Sequence, residues 1–137
     1  MKFILKVYNE FISIVKEENM KILFILNDAP YGTEKAYNAL RMAMALQKEH
    51  ADNVDIYMFL LADAVTCALP NQVTPPGFYN IERMLRSVIH KGGQVKACGT
   101  CMDARGLKDI TLVEGVEYST MSQLTAWTVE SDKVLTF

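Results

Sequence analysis

Most of the features that disclose a chain's chemistry are missing from this sequence. It has no excess of positive charge, since 14 Lys and Arg stand against 16 Asp and Glu for a formal net charge of -2. Overall electrostatics therefore gives no reason to expect nucleic acid or an acidic membrane surface as partner. No segment reaches the roughly 18 consecutive apolar residues of a membrane span. There is no glycine-rich phosphate loop of Walker or Rossmann spacing, because Tyr31-Gly32-Thr33 offers a single glycine. Neither H-E-x-x-H nor G-x-S-x-G occurs, which leaves hydrolase chemistry without a nucleophile-and-base constellation. Histidine is scarce, with only His50 and His90. No repeat, low-complexity tract or interdomain linker is visible.

What remains is an ordinary globular composition, 50% hydrophobic and 22% charged over 137 residues, enough for one domain with its own core. Three cysteines, Cys67, Cys98 and Cys101, are an odd number in a chain that can fold by burial. That argues against a secreted disulfide framework and for thiols kept reduced in a cytoplasm. Residues 1–19 are apolar, but Ile4, Tyr8, Phe11, Ile12 and Val15 recur at helical spacing with Asn9, Glu10 and Lys16 between them. They lack the unbroken apolar run and small-residue cleavage site of a signal peptide. The reading is an amphipathic extension, 1–19, ahead of a domain over 20–137.

From Lys21 to Leu26 a nearly continuous apolar run stopped by turn residues predicts a strand buried on both faces. Thr33 is placed to cap the following helix, with Glu34 in its first turn and Ala36, Ala39, Leu40, Ala43 and Leu46 forming a stripe that lasts to His50. Met42 and Met44 widen that stripe, as extra core or as a subunit contact. Val54 to Ala62 reads as a second strand, Asp63 to Gly77 as a long loop, and Asn80 to Lys91 as a helix stopped by Gly92-Gly93. A short strand, Gln94 to Ala97, runs into Cys98-Gly99-Thr100-Cys101 and a brief helix from about Thr100 to Arg105. Thr111 to Val113 is expected as a fourth strand. Thr120 and Gln123 form a capping-box pattern ahead of Leu124 and Trp127, a core residue, and Val134 to Phe137 reads as a last strand. The alternation predicts an α/β fold, a five-stranded, mainly parallel sheet with helices on both faces.

In such a sheet ligands gather beyond the carboxyl ends of the strands, and those ends deliver Asn27, Asp28, Asp63, Cys67, Cys98 and Cys101 toward one edge. Cys98 stands where a strand meets a helix start, a setting that favours thiolate. Arg105 would add positive charge and Asp103 would oppose it. The C-x-x-C spacing also suits dithiol–disulfide exchange or half of a zinc site. Zinc would need Cys67 and a histidine as well, and both histidines fall near expected helix C-termini, so no metal is expected.

The strand Lys21 to Asp28, the loop Ala62-Asp-Ala-Val-Thr-Cys-Ala, and above all Cys98-Gly-Thr-Cys-Met-Asp-Ala-Arg-Gly-Leu107 resemble the DsrE/DsrF-like family. In its sulfur-relay members a cysteine follows the third strand and precedes a segment ending in Arg-Gly, which matches Cys98, Arg105 and Gly106. The resemblance implies a flavodoxin-like fold, assembly into trimers or hexamers, and a sulfur carrier or sulfurtransferase without an organic cofactor. Cys98 would then accept sulfur as a persulfide from a donor and pass it to an acceptor thiol, with Cys101 or Cys67 as a resolving thiol. Two other classes remain open: a dithiol redox protein using Cys98 and Cys101, and a non-catalytic oligomer whose cysteines merely pack.

Overall fold

The structure, a computed structural model, describes residues 1–14 and 18–137. Helix α1, Lys2–Ile14, comes first, and every residue from Met1 to Ile12 is exposed. Phe3, Ile4, Val7, Tyr8 and Phe11 share an apolar face in contact with solvent. Val15 and Lys16, expected in the same helix, lie outside the described residues.

Strand β1, Met20–Leu26, buries Ile22, Leu23 and Phe24 in succession, as a strand covered on both faces must. Its parallel neighbours are β2, Val54–Leu60, and β5, Lys133–Thr136. Beyond β2 come β3, Gln94–Cys98, and β4, Val116–Ser119, also parallel, for a sheet order β4-β3-β2-β1-β5. All four pairings are parallel, so the parallel α/β sheet expected from the element order is present, in keeping with the flavodoxin-like fold that the family resemblance implies.

On one face lie α2, Lys35–Glu49, and α3, Ile81–His90, which pack on each other. The buried Gln47 amide of α2 donates to the Val88 carbonyl of α3 at 2.9 Å. Opposite them α5, Met121–Glu130, sets Trp127 edge-on to Tyr57 and Phe59, the side-chain row that alternates with Ile56, Met58 and Leu60. The Lys96 ammonium lies 4.6 Å over the Trp127 ring. Trp127 is thus core, as its spacing indicated, and the Thr120 hydroxyl caps α5 by accepting from the Gln123 N–H. Most of the Ala-rich stripe of α2 is internal: Ala36, Ala39, Leu40 and Ala43 are buried, while Met42 is exposed.

Several expectations are corrected. Helix α2 begins at Lys35 with Glu34 as its N-cap, and Thr33 contributes only a 3.4 Å contact from its hydroxyl to the Lys35 N–H. The loop after β2 opens with a 3-10 helix, Ala62–Ala68. Thr111 to Val113 is not a strand. Val113 is buried and donates its N–H to the Ala68 carbonyl, pinning a loop, and the chain turns at Gly115, at φ +94°, before Val116–Ser119 pairs with β3. The apolar residues there served burial of a loop, a role that short periodicity does not separate from a strand.

Since β1 onward forms a complete hydrogen-bonded sheet and the residues of α1 described up to Ile12 are all exposed, deleting residues 1–19 is expected to change unfolding stability by less than about 0.5 kcal/mol. Urea melts of the two forms check this; a lost cooperative transition would show that the extension completes the core.

Candidate thiol site at the sheet edge

Cys98 is the last residue of β3 and the N-cap of α4, Gly99–Ala104. Its placement follows from two short-range facts. The strand before it is held between β2 and β4, and Gly99 directly after it carries no side chain where the ring of Tyr118 approaches; a Cβ there would collide with Tyr118 Cε1. Cys98 is only 5% exposed.

Its sulfur is well supplied with hydrogen bonds. The Cys101 N–H donates to Cys98 Sγ at 3.4 Å, and the Thr100 hydroxyl shares a hydrogen bond with it at 3.3 Å. Burial opposes the Cys98 thiolate, but hydrogen bonds from the Cys101 and Thr100 side chains and backbones outweigh it and hold the thiol below its ordinary value. Cys101 goes the other way: burial first, then its hydrogen bond to Cys98 and the charge there, raise it against the pull of the Ala62 N–H and Arg105. The two thiols are thus shifted in opposite directions, and Cys98 is the one that gives up its proton first.

Cys101 receives its own support from an unusual backbone. Ala62, just past β2, adopts φ +49°, the left-handed region that costs an L-residue about 1 kcal/mol, and its N–H donates to Cys101 Sγ at 3.3 Å. Arg105 does not point at Cys98. Its guanidinium pairs with Asp63 at 2.8 Å and donates to the Cys101 carbonyl at 3.0 Å, fastening α4 to the 3-10 helix. The opposing carboxylate, Asp103, accepts a short hydrogen bond from the Tyr118 hydroxyl, which also reaches the Gly99 carbonyl at 3.1 Å.

The structure therefore brings together Cys98, Cys101, Asp63 and Arg105, and adds Thr100, Ala62, Asp103 and Tyr118. The other expected members form a separate group. Asn27 is tied to the C-terminal residue, its N–H donating to the Phe137 carbonyl at 3.0 Å. The Asp28 carboxylate takes the Thr33 hydroxyl at 3.1 Å and the Lys35 ammonium at 3.5 Å, and so shapes the approach to α2. Cys67 is fully buried with its thiol toward the Asp28 carbonyl at 3.7 Å, and burial pushes it up to about 12. A thiol so protonated is a poor partner for exchange. Among the described residues no three His, Cys, Asp or Glu are grouped to hold a metal ion, and no helix is long and apolar enough to cross a membrane.

Ala62 and Tyr118 carried no recognisable signal in the sequence. The one hint was glycine immediately after the nucleophile, a residue that often marks close approach.

Fold and site together define a small parallel α/β protein that presents a hydrogen-bonded thiol pair beyond its third strand. The chain belongs to the DsrE/DsrF-like family, whose pattern it matches over residues 20–137. It is 45% identical over 117 residues to protein YchN of Escherichia coli K12, covering 85% of this chain and 98% of that one. It is 42% identical over 118 residues to the uncharacterized protein MJ0989 of Methanocaldococcus jannaschii, covering 86% of this chain and all (100%) of that one. The crystal structure of YchN from E. coli superposes with a TM-score of 0.80 at 44% identity, over 86% of this chain and 99% of that one. A conserved protein of unknown function from Bacteroides thetaiotaomicron, BT1422, shares the fold at 16% identity and a TM-score of 0.55.

The thiol order is testable by alkylation with iodoacetamide across a pH series, followed by peptide mapping. Cys98 is expected to react first, with a midpoint below the ordinary thiol range because its depressed pKa leaves thiolate at lower pH. Cys101 is expected to follow at higher pH, and Cys67 to label only on unfolding. Labelling of native Cys67 ahead of Cys98 would reverse this assignment.

Proposed function

We propose that this protein is a sulfur carrier that accepts sulfane sulfur as a persulfide on Cys98 and passes it to a partner thiol. The observation that carries the reading is the hydrogen-bonded Cys98 sulfur at the end of β3, held below its ordinary pKa beside a Cys101 thiol held above its own. In the first step the Cys98 thiolate attacks the outer sulfur of a donor R–S–SH. The new S–S bond gives Cys98–S–SH, the old one breaks, and R–S⁻ leaves. In the second step an acceptor thiolate attacks the same outer sulfur, takes it as R′–S–SH and restores the Cys98 thiolate. The two steps balance without any change in net oxidation state.

A second reading has its own observation, the adjacency of the two cysteines, with the Cys101 backbone N–H donating to Cys98 Sγ at 3.4 Å. Cys101 thiolate could attack the inner sulfur of Cys98–S–SH, expel HS⁻ and leave a Cys98–Cys101 disulfide. As a resolving thiol Cys101 would return only after a dithiol reductant had reopened that bond.

The donor is a persulfide and the acceptor a thiol, each carried on a protein or a small molecule, and the three free cysteines fit a reducing cytoplasm. The chain also acts as a homotrimer or homohexamer in this reading. Its support is the exposed apolar set Met20, Met121, Val129 and Val134, which a single copy leaves in water. Light scattering at micromolar concentration is expected to give a multiple of three chains, and a monomer would remove this part of the proposal.

Intact mass after treatment with a persulfide donor tests the chemistry. The wild type is expected to gain sulfur and Cys98→Ser to gain none while keeping its melt, since serine is near in size and can still cap α4. Cys101→Ser is expected to hold its persulfide longer. Persistent sulfur on Cys67 or Cys101 in Cys98→Ser would show that another thiol is the acceptor.

A further inference from the structure

Cys98 is nearly enclosed, yet on the reading above its sulfur must meet a thiol or persulfide belonging to another molecule. Some neighbour has to yield. Thr100 and Cys101, which hydrogen-bond to the sulfur, are fixed within α4. Asp63 and Arg105 are locked to each other and to the Cys101 carbonyl. Lys96, the next residue on the same side of β3, is held by Gln123, Glu117 and the Trp127 ring.

Tyr118 differs from all of these. It belongs to β4, an edge strand of four residues, and is 50% exposed. Its ring presses on the space above Gly99 from the row opposite Ala97. Its hydroxyl supplies its polar contacts, to the Asp103 carboxylate and the Gly99 carbonyl, and both acceptors belong to the short helix that carries the thiols. The phenol is close enough to Cys98 to respond to its charge. The hydrogen bond to Asp103, then burial, the Asp103 charge and the Cys98 charge together push the Tyr118 hydroxyl up to about 12, so it stays a protonated donor throughout the neutral range.

We propose that Tyr118 is a positioning residue for Cys98: its ring, latched to Asp103 and Gly99, is the movable wall that limits which molecules reach the thiol. The ring swings about a single edge-strand residue without disturbing the sheet. Releasing it needs only the exchange of hydroxyl contacts for water, which is a small net change for exposed groups. Gly99 is part of the device, because any side chain there would prop the wall open. Asp103 supplies the carboxylate oxygen that holds the latch.

The proposal rests on Cys98 being the reactive thiol, and its test is independent of sulfur transfer. Cys98 alkylation is followed across pH in full-length wild type, Tyr118→Phe and Asp103→Ala, with iodoacetamide as the small reagent and a bulky aryl maleimide as the large one. The high-pH plateau reports access, and the midpoint reports the charge around the sulfur. Tyr118→Phe keeps the ring but removes the latch, and is expected to raise the plateau rate several-fold for the maleimide and much less for iodoacetamide. Asp103→Ala is expected to show a smaller rise of the same kind, because the Gly99 carbonyl remains. Equal plateau rates in all three proteins, or a rise common to both reagents, would overturn the wall. If Tyr118→Phe fails to fold, Asp103→Ala decides by the same plateau comparison. Failure of the wild type to take up sulfur from a persulfide donor would sink the carrier reading and leave these rates as they are.

Discussion

The register of three parallel strands fixes everything that touches the thiols. Leu60 of β2, Ala97 of β3 and Tyr118 of β4 lie in one row across the sheet. One step further along the chain direction, β3 ends at Cys98 and β2 gives way to the Ala62 turn. Because parallel ladders allow no shift of one residue without turning every buried side chain to the wrong face, the row cannot slip. Ala62 lies 36 residues before Cys98 and Tyr118 lies 20 residues after it, yet they meet because Val95, Ala97, Met58 and Leu60 must be buried.

Around this fixed row the charges are arranged so that little of the negative potential falls on the reactive sulfur. Two carboxylates, Asp63 and Asp103, stand near the thiols, and each is engaged elsewhere, by Arg105 and by Tyr118. Exposed ion pairs such as Arg105 with Asp63 contribute little to folding free energy, at most about 1 kcal/mol. Their role here is geometric, since the pair fixes the brief α4 against the 3-10 helix. The anion on Cys98 then depends on hydrogen-bond donors within its own turn rather than on a long helix dipole, for α4 has only six residues.

The same economy of contacts explains why three cysteines behave as three different groups. Cys67 is enclosed and points to a carbonyl, and its own backbone offers a negative sulfur less than burial takes away. Cys101 sits between a donor, Ala62, and the anion it serves. Only Cys98 collects donors in excess of what burial takes away.

Sequence alone determined the architecture. The apolar runs at Lys21 to Leu26 and Val54 to Ala62, the 3.6-residue stripes between and after them, and the turn residues that divide them specify a doubly covered parallel sheet, since periodicity and burial are local properties of a chain. It also singled out Cys98 and Cys101, because a C-x-x-C at a strand end is local too. The fourth strand was misplaced at Thr111 to Val113, where Leu112 and the buried Val113 anchor a loop and only the partner strand distinguishes that from pairing. Which groups surround the sulfur was decided by tertiary structure. That Arg105 faces Asp63 and not Cys98, that Cys67 belongs with Asp28, and that Ala62 and Tyr118 belong with the thiols all depend on strand order and register. Those are set by non-local burial, and no window of sequence contains them.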